Sequence, residues 1–154
     1  MNNSGPKILG RTGGLTMPIT DLLERNSKLY GDMTALVEIN PELREPRRVT
    51  WREYELIQPG GPAPYRREIT WSVFDEKSNR AANLLLGRGI RKGQKVALLM
   101  MNNLEWLPIY FGILKTGAIA VPLNFRYTAD EIRYCLGLSA ADVLFFGPEF
   151  IGRV

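Results

Sequence analysis

Short apolar runs separated by helix-like segments constrain the fold of this chain more than any other feature. Residues 96–101 are continuously apolar, and residues 118–122 and 143–146 form further runs of the same kind. Continuous apolar runs are typical of parallel strands that are covered on both faces. Helices between such strands form right-handed crossovers. The sequence therefore predicts an α/β fold with a parallel βαβαβ sheet flanked by helices.

Helical periodicity and capping residues predict where the helices lie. They are expected over residues 19–30, 71–88, 104–116 and 128–138, and Thr128-Ala-Asp-Glu131 forms a capping box for the last of them. Asn102 or Asn103 is placed to cap the third. Each helix has apolar residues that are predicted to face the interior. They are Leu22, Leu23, Leu29 and Tyr30 in the first helix, Phe74, Ala81, Ala82 and Leu85 in the second, Leu104, Leu107, Phe111 and Leu114 in the third, and Ile132, Cys135 and Leu136 in the fourth.

Residues 34–71 are predicted to form an antiparallel edge hairpin. Residues 34–39 have the composition of a strand. Two similar β-rich runs, 47–53 and 66–72, lie on either side of the Pro/Gly-rich loop 58–64, and this arrangement favours a hairpin. Thr50 and Glu53 also match a capping box, so a helix over the first run is the alternative.

The residue types present restrict the chemistry of the chain. It has no histidine and one cysteine, which excludes Ser-His-Asp and Cys-His catalysis, His-ligated metals and an internal disulfide. Twenty Lys and Arg against sixteen Asp and Glu give a net charge of +4. The basic residues are dispersed, so no nucleic-acid partner is expected. The single cysteine and the absence of an apolar signal region predict a cytoplasmic location.

Other features could suggest a membrane span or a phosphate loop, but each has a simpler explanation. Residues 104–123 contain charged residues, prolines and glycines, so a membrane span is not expected. Gly112-Ile-Leu-Lys-Thr-Gly117 lacks the Lys and Ser/Thr that follow the second glycine of a phosphate loop, and indicates the end of a helix. No catalytic residue and no metal ligand are assigned.

Arg126 is the candidate binding residue. It follows the predicted strand 118–122 and precedes the helix capped by Thr128. Ligands of parallel sheets bind beyond the carboxyl ends of the strands, and an arginine there can form a bidentate pair with phosphate. A solvated or structurally paired arginine is the alternative.

A series of short segments occurs in the order and at the spacing of one enzyme family. Over about residues 17–147 the chain resembles the opening of AMP-forming acyl-CoA synthetases, which are members of the adenylate-forming superfamily. The segments are Ile69-Thr-Trp, Asn79-Arg-Ala-Ala-Asn, Gly89-Ile-Arg-Lys-Gly-Gln-Lys-Val-Ala-Leu98, Asn102-Asn-Leu-Glu-Trp106, Leu114-Lys-Thr-Gly-Ala118, Val121-Pro-Leu-Asn-Phe-Arg126, Thr128-Ala-Asp-Glu-Ile132 and Asp142-Val-Leu-Phe-Phe146.

The resemblance implies an N-terminal α/β subdomain over residues 19–154, preceded by a flexible arm over residues 1–18. Enzymes of this family activate a carboxylic acid with ATP and Mg²⁺ and then transfer the acyl group to the thiol of coenzyme A. Their phosphate loop, adenine- and ribose-binding segments and C-terminal lysine lie downstream of the segments found here. We therefore expect a fragment that is inactive alone and binds none of these cofactors. In related ligases an arginine at the Arg126 position approaches the nucleotide part of coenzyme A.

Two further expectations concern partners. A free-standing binding or protein-interaction module derived from the same fold is the alternative function. An incomplete α/β lobe should expose apolar surface, through which the chain could form a homo-oligomer. The acyl substrate is not specified by these residues.

Overall fold

The computed structural model describes residues 18–39 and 65–154. The predicted arm 1–18, apart from residue 18, lies outside the described residues, and so do the run 47–53 and its alternative helix. The elements are α1 (Ile19–Tyr30), β1 (Thr34–Ile39), β2 (Arg66–Thr70), α2 (Trp71–Gly87), β3 (Lys95–Leu99), α3 (Trp106–Lys115), β4 (Ile119–Pro122), α4 (Ala129–Ser139), β5 (Val143–Phe146) and a 3-10 turn (Pro148–Phe150). Within the two described stretches, no helix is both long enough and apolar enough to cross a bilayer.

The parallel sheet has the strand order β4-β3-β5. Its central strand is β3, in which Val96 lies opposite Ala120 of β4 and opposite Val143 of β5. Helix α3 connects β3 to β4, and α4 connects β4 to β5. The predicted parallel βαβαβ sheet with flanking helices is confirmed.

Both faces of β3 are covered, as its continuous apolar sequence predicts. Val96 packs in a buried cluster with Leu85 of α2 and Ile113 of α3. Leu99, whose side chain lies on the opposite face, is in a second cluster with Ile132 of α4. Burying these aliphatic side chains is the main favourable contribution to the free energy of folding here, at about 1.5–3 kcal/mol for each fully buried one.

Asp142 joins the beginnings of β3 and β5. Its carboxylate accepts hydrogen bonds from the Lys95 N–H (2.8 Å) and the Gln94 side-chain amide (2.9 Å). Its own N–H donates to the Lys95 carbonyl at 2.8 Å. The Lys95 N–H bond, followed by the Gln94 bond, lowers the pKa of Asp142 from its ordinary value, because both hydrogen bonds favour the ionised carboxylate.

Helices α2 and α3 approach closely at Gly112. A Cβ on Gly112 would lie 2.6 Å from the Cβ of Ala81 and 2.8 Å from the carbonyl oxygen of Ser78. Such separations are far below normal contact, so only a glycine permits this approach. The buried Ser78 hydroxyl donates to the Phe74 carbonyl at 2.9 Å and therefore leaves no polar atom unpaired at the contact.

This close approach sets which face of α3 is buried. Leu104 is buried as predicted, but the rest of the predicted stripe, through Leu107, Phe111 and Leu114, is wrong because these side chains are only partly buried. The buried residues of the helix are Pro108, Gly112 and Ile113. Gly112 thus belongs to the buried side of α3 and lies against Ser78 and Ala81 of α2.

The start of α3 and the whole of α4 follow their capping residues. Asn103 Oδ1 accepts from the N–H groups of Glu105 (3.0 Å) and Trp106 (3.1 Å), so the regular helix begins two residues later than predicted. In α4 the Thr128 side chain and Glu131 form both hydrogen bonds of the capping box. The N–H and the hydroxyl of Thr128 both donate to the Glu131 carboxylate, and these hydrogen bonds lower the pKa of Glu131.

Helix α1 has the predicted bounds but fewer buried contacts than expected. Leu23 is fully buried, whereas Leu22, Leu29 and Tyr30 are exposed. The helix lies at the periphery and packs mainly against α2, so only a narrow side of it faces the interior. Of the four residues predicted to offer apolar contacts, only Leu23 lies in the core.

The antiparallel pair consists of β1 and β2 and forms a two-stranded sheet of its own. Val37 lies opposite Glu68, and Thr34 opposite Thr70. The antiparallel pairing predicted within residues 34–71 is therefore present in its described parts, in a sheet separate from the parallel one. The strand observed beside 66–70 is β1, while the run 47–53 that was its predicted partner is outside the described residues.

Candidate functional site

The carboxyl ends of the parallel strands form one edge of the molecule. Residues 100–103 follow β3, residues 123–126 follow β4, and residues 147–149 follow β5. Because β4 and β5 lie on opposite sides of β3, the strand order reverses between β3 and β5. Ligands of open α/β sheets bind at this edge, most often where the order reverses.

Arg126 lies in the turn between β4 and α4, as predicted. The Tyr127 N–H donates to the Asn124 carbonyl, and the Arg126 N–H donates to Asn124 Oδ1, each at 3.0 Å. The Arg126 side chain is exposed, and its Cζ lies 5.4 Å from the centre of the Phe125 ring. Cation–π contacts of this kind contribute only about 0.5–1 kcal/mol at exposed sites. The guanidinium is thus held loosely beyond the carboxyl end of β4, and its binding role stays a prediction.

The region between β3 and β5 is closed by Glu149, which sequence reasoning missed. The Glu149 carboxylate is only 8% exposed and accepts a hydrogen bond from the Met101 N–H at 3.3 Å. The Gly147 N–H donates to the Leu99 carbonyl at 3.0 Å. A Cβ on Gly147 would overlap the Glu149 carboxylate, so a larger residue there would require the Glu149 side chain to move. In the sequence Glu149 is a lone Glu directly after a Gly-Pro pair, a pattern that does not indicate burial.

The segment that follows β5 also reaches the turn of Arg126. We call residues 147–153 the edge segment. Within it, Phe150 is fully buried in the cluster formed with Leu99 and Ile132. The Arg153 side chain donates through Nη1 to the carbonyls of Phe125 (3.3 Å) and Tyr127 (3.2 Å). The edge segment therefore continues β5 and contacts both the end of β3 and the turn that follows β4.

The glycines of the partial phosphate-loop motif have structural roles. Gly112 lies inside α3 against α2, and Gly117 follows the helix with a φ of +76°. The interpretation of Gly117 as a helix end is confirmed. Cys135 is half-buried beside the cluster beneath α4, as predicted for a core thiol. In residues 18–39 and 65–154 no group of three or more acidic, Cys or His side chains is placed to hold a metal ion.

A pocket of about 350 Å³ lies between β1 and the connection from β3 to α3. Glu38 contributes a carboxylate to the lining of this pocket. That carboxylate accepts hydrogen bonds from the Leu104 N–H at 2.8 Å and from the Arg67 guanidinium at 2.7 Å. Leu36 and Trp106 contribute to its otherwise mainly apolar lining. The Glu38 carboxylate thus joins the two-stranded sheet to the start of α3.

The model of the AMP-binding enzyme family matches residues 23–150. The chain belongs to this family. It is 34% identical over 105 residues to the long-chain-fatty-acid–CoA ligase FadD13 of Mycobacterium tuberculosis, which covers 68% of this chain and 20% of the ligase. It is 39% identical over 84 residues to a crotonobetaine/carnitine–CoA ligase of Citrobacter koseri, covering 54% of this chain and 16% of that enzyme.

Solved structures of the AMP-binding family share the fold. The anthranilate CoA ligase AuaEII in complex with anthranoyl-AMP superposes with a TM-score of 0.67 at 31% identity, over 88% of this chain and 21% of that one. The N-terminal domain of FACL13 from M. tuberculosis gives a TM-score of 0.66 at 25% identity, over 87% of this chain and 28% of that domain. The chain thus spans about a fifth of the length of the ligases it resembles and has the fold of an N-terminal subdomain of adenylate-forming enzymes.

Proposed function

We propose that this chain is the N-terminal part of an AMP-forming acid–thiol ligase. The whole enzyme would convert a carboxylic acid, ATP and coenzyme A into acyl-CoA, AMP and pyrophosphate. The observation that carries the proposal is the family match over residues 23–150, together with named relatives that are CoA ligases. Residues 19–154 would be the N-terminal α/β subdomain.

The groups that activate the acid would come from outside these residues. Acid activation requires cationic and backbone donors around the α-phosphate of ATP, normally with Mg²⁺. In the described part of the chain, the glycines nearest to a phosphate-loop pattern cap and pack α3, and no metal-binding cluster is present. The described residues therefore do not fit a nucleoside triphosphate with its metal ion. Because the chain spans only about a fifth of the ligases it resembles, we propose that the 154-residue chain alone is inactive and holds none of the cofactors.

Arg126 would contact the nucleotide part of coenzyme A in the whole enzyme. Its exposed guanidinium stands beyond the carboxyl end of β4. A guanidinium can bind phosphate through two parallel hydrogen bonds, and the weak contact with Phe125 would be replaced at small cost. Coenzyme A supplies the thiol that accepts the acyl group, and Arg126 would only hold and orient its nucleotide.

Location and self-association form the remaining part of the proposal. A cytoplasmic location is supported by the single, half-buried Cys135. Self-association is supported by Tyr134 and Leu138, which lie one helical turn apart on α4 and are 68% and 73% exposed. Sedimentation of the purified chain would detect the association, which Leu138→Ser is expected to weaken.

The test compares the 154-residue chain with a protein extended along the same reading frame. ATP–pyrophosphate exchange in the presence of carboxylic acids is expected only from the extended protein. Exchange by the 154-residue chain would overturn the proposed inactivity. A stop codon directly after Val154 would favour the interaction-module alternative instead.

A pair of matched variants tests the role of Arg126 in the extended enzyme. Arg126→Gln is expected to raise the KM for coenzyme A about tenfold, as expected for the loss of one charge-assisted contact. Arg133 is a suitable control because it is an equally charged, exposed residue of the neighbouring helix, paired with Asp130 at 2.6 Å. Arg133→Gln should leave that KM at the wild-type value. An unchanged KM in Arg126→Gln would remove Arg126 from the coenzyme site.

A further inference from the structure

We infer that Arg153 is a positioning residue that fixes the turn carrying Arg126. The inference rests on the proposed function of Arg126, because it assigns Arg153 the task of presenting that side chain to a ligand. Arg153 itself would touch no substrate. It would act on the backbone on either side of Arg126.

The contacts of Arg153 bracket Arg126 in the sequence. Nη1 of Arg153 donates to the carbonyl of Phe125 at 3.3 Å and to the carbonyl of Tyr127 at 3.2 Å. These are the carbonyls of the residues directly before and after Arg126. A single planar donor group bonded to both restricts the peptide plane that precedes Arg126 and the one that follows Tyr127, and so fixes the relation between the two ends of this short stretch. A lysine ammonium is a point charge on a flexible stem and would not hold two carbonyls in a fixed relation.

Arg153 can fix the turn because it is itself anchored. Its N–H donates to the carbonyl of Phe150 at 2.9 Å, and Phe150 is fully buried. The preceding Glu149 carboxylate accepts from the Met101 N–H beyond β3. The edge segment is therefore attached to the core of the sheet before it reaches the turn. The positional constraint passes from the buried core to an exposed loop through one guanidinium.

The turn needs such a constraint for Arg126 to be presented in one position. It follows a strand of only four residues, and Asn124 and Arg126 are both exposed. Its local hydrogen bonds, from the N–H groups of Arg126 and Tyr127, both go to Asn124. The ends of the turn are held by the Leu123 N–H bond to the Leu98 carbonyl and by the Thr128 capping box, and any freedom left in the exposed residues between them would have to be lost when a ligand binds. The bonds from Arg153 remove that freedom before a ligand arrives.

The first measurement is hydrogen exchange in the 154-residue chain. The amide of Tyr127 reports on the turn, because its hydrogen bond to Asn124 closes it. Arg153→Gln is expected to speed its exchange about tenfold, and Arg153→Lys to have a smaller effect. Arg133→Gln should leave it unchanged. Unchanged exchange in Arg153→Gln would overturn the inference, whether or not Arg126 binds coenzyme A.

The second measurement separates positioning from a general structural role. In the extended enzyme, Arg153→Gln is expected to raise the KM for coenzyme A about fivefold while the KM for ATP stays within about twofold of wild type. Equal increases in both constants, or a lowered melting temperature with no change in either, would show that Arg153 is only structural. An effect of Arg126→Gln without one of Arg153→Gln would refute the positioning role alone. No effect of Arg126→Gln on the KM for coenzyme A would instead refute the proposed function of Arg126.

Discussion

Replacing Gly112 by alanine is expected to destabilise the chain, although alanine is the better helix former. The added Cβ would lie 2.6 Å from the Cβ of Ala81, 2.8 Å from the carbonyl oxygen of Ser78 and 3.1 Å from the amide nitrogen of Ala82. Two of these three atoms belong to the backbone of α2, so the helices must move apart for the methyl group to fit. Movement of the helices would also loosen the cluster around Ile113 and Leu85.

The size of the effect follows from two opposing contributions. Forcing an extra carbon into a packed interior costs about 1–3 kcal/mol, and contacts with backbone place this case near the upper limit. Replacing a glycine inside a helix by alanine recovers about 1 kcal/mol. The expected loss in the free energy of unfolding for Gly112→Ala is therefore about 2 kcal/mol.

Gly137 provides the matched control. It lies inside α4, and a Cβ built on it meets nothing within 4 Å. Gly137→Ala should therefore show only the helix-propensity gain, a stabilisation of about 0.5–1 kcal/mol. Urea denaturation followed by far-UV circular dichroism measures both variants. In thermal unfolding followed by the same signal, the melting temperatures of the two variants should differ by about 6 °C or more for a chain of this length. If Gly112→Ala were as stable as Gly137→Ala, the close approach of α2 and α3 would be wrong.

Three further perturbations test other parts of the structure. Lys115→Met should lower the free energy of unfolding by about 2–3 kcal/mol, because it removes the cation 2.6 Å from the carboxylate of Asp75, which is only 16% exposed. Lys28, whose ion pair with Glu24 is exposed, provides the control, and Lys28→Met should unfold like wild type in the same urea titration. Thr128→Ala removes the capping box of α4 and should cost about 1 kcal/mol in that titration, and a loss near zero would mean that the cap contributes nothing. The pKa of Asp142 is lower in the folded chain than in the unfolded chain, so the stability that its carboxylate contributes is present above a pH of about 4 and lost as the pH falls below it. Asp142→Asn should therefore reduce the slope of the free energy of unfolding against pH on the acid side, and an unchanged slope would contradict the lowered pKa.

Elements with strong local signals could be predicted from the sequence alone. The capping box at Thr128 and Glu131 gave the start of α4 because both of its hydrogen bonds form within one turn of chain. The uninterrupted apolar run of β3 correctly indicated a strand buried on both faces, since no polar residue in it needs water. The position of Arg126 beyond β4 followed from the strand and cap on either side of it.

Features that depend on contacts between distant segments could not be predicted. Helix α3 is apolar on nearly all sides, so periodicity could not select the face that carries Gly112; the approach of α2 selects it. Glu149 is an ordinary acidic residue in the sequence, and its burial depends on an N–H of Met101, 48 residues earlier. The bonds from Arg153 to the turn also span 26 and 28 residues, and no local pattern indicates them.

The central position of β3 has a consequence for how the chain reaches its native state during synthesis. Ribosomes produce β3 first, then the neighbour on one flank, β4, and only later the neighbour on the other flank, β5. Until residue 146 has emerged, Val96–Leu99 present an unpaired backbone edge beside apolar side chains, which is the kind of surface that recruits foreign strands. Delays in translating α4 would therefore prolong the interval in which a nascent chain is most vulnerable to aggregation.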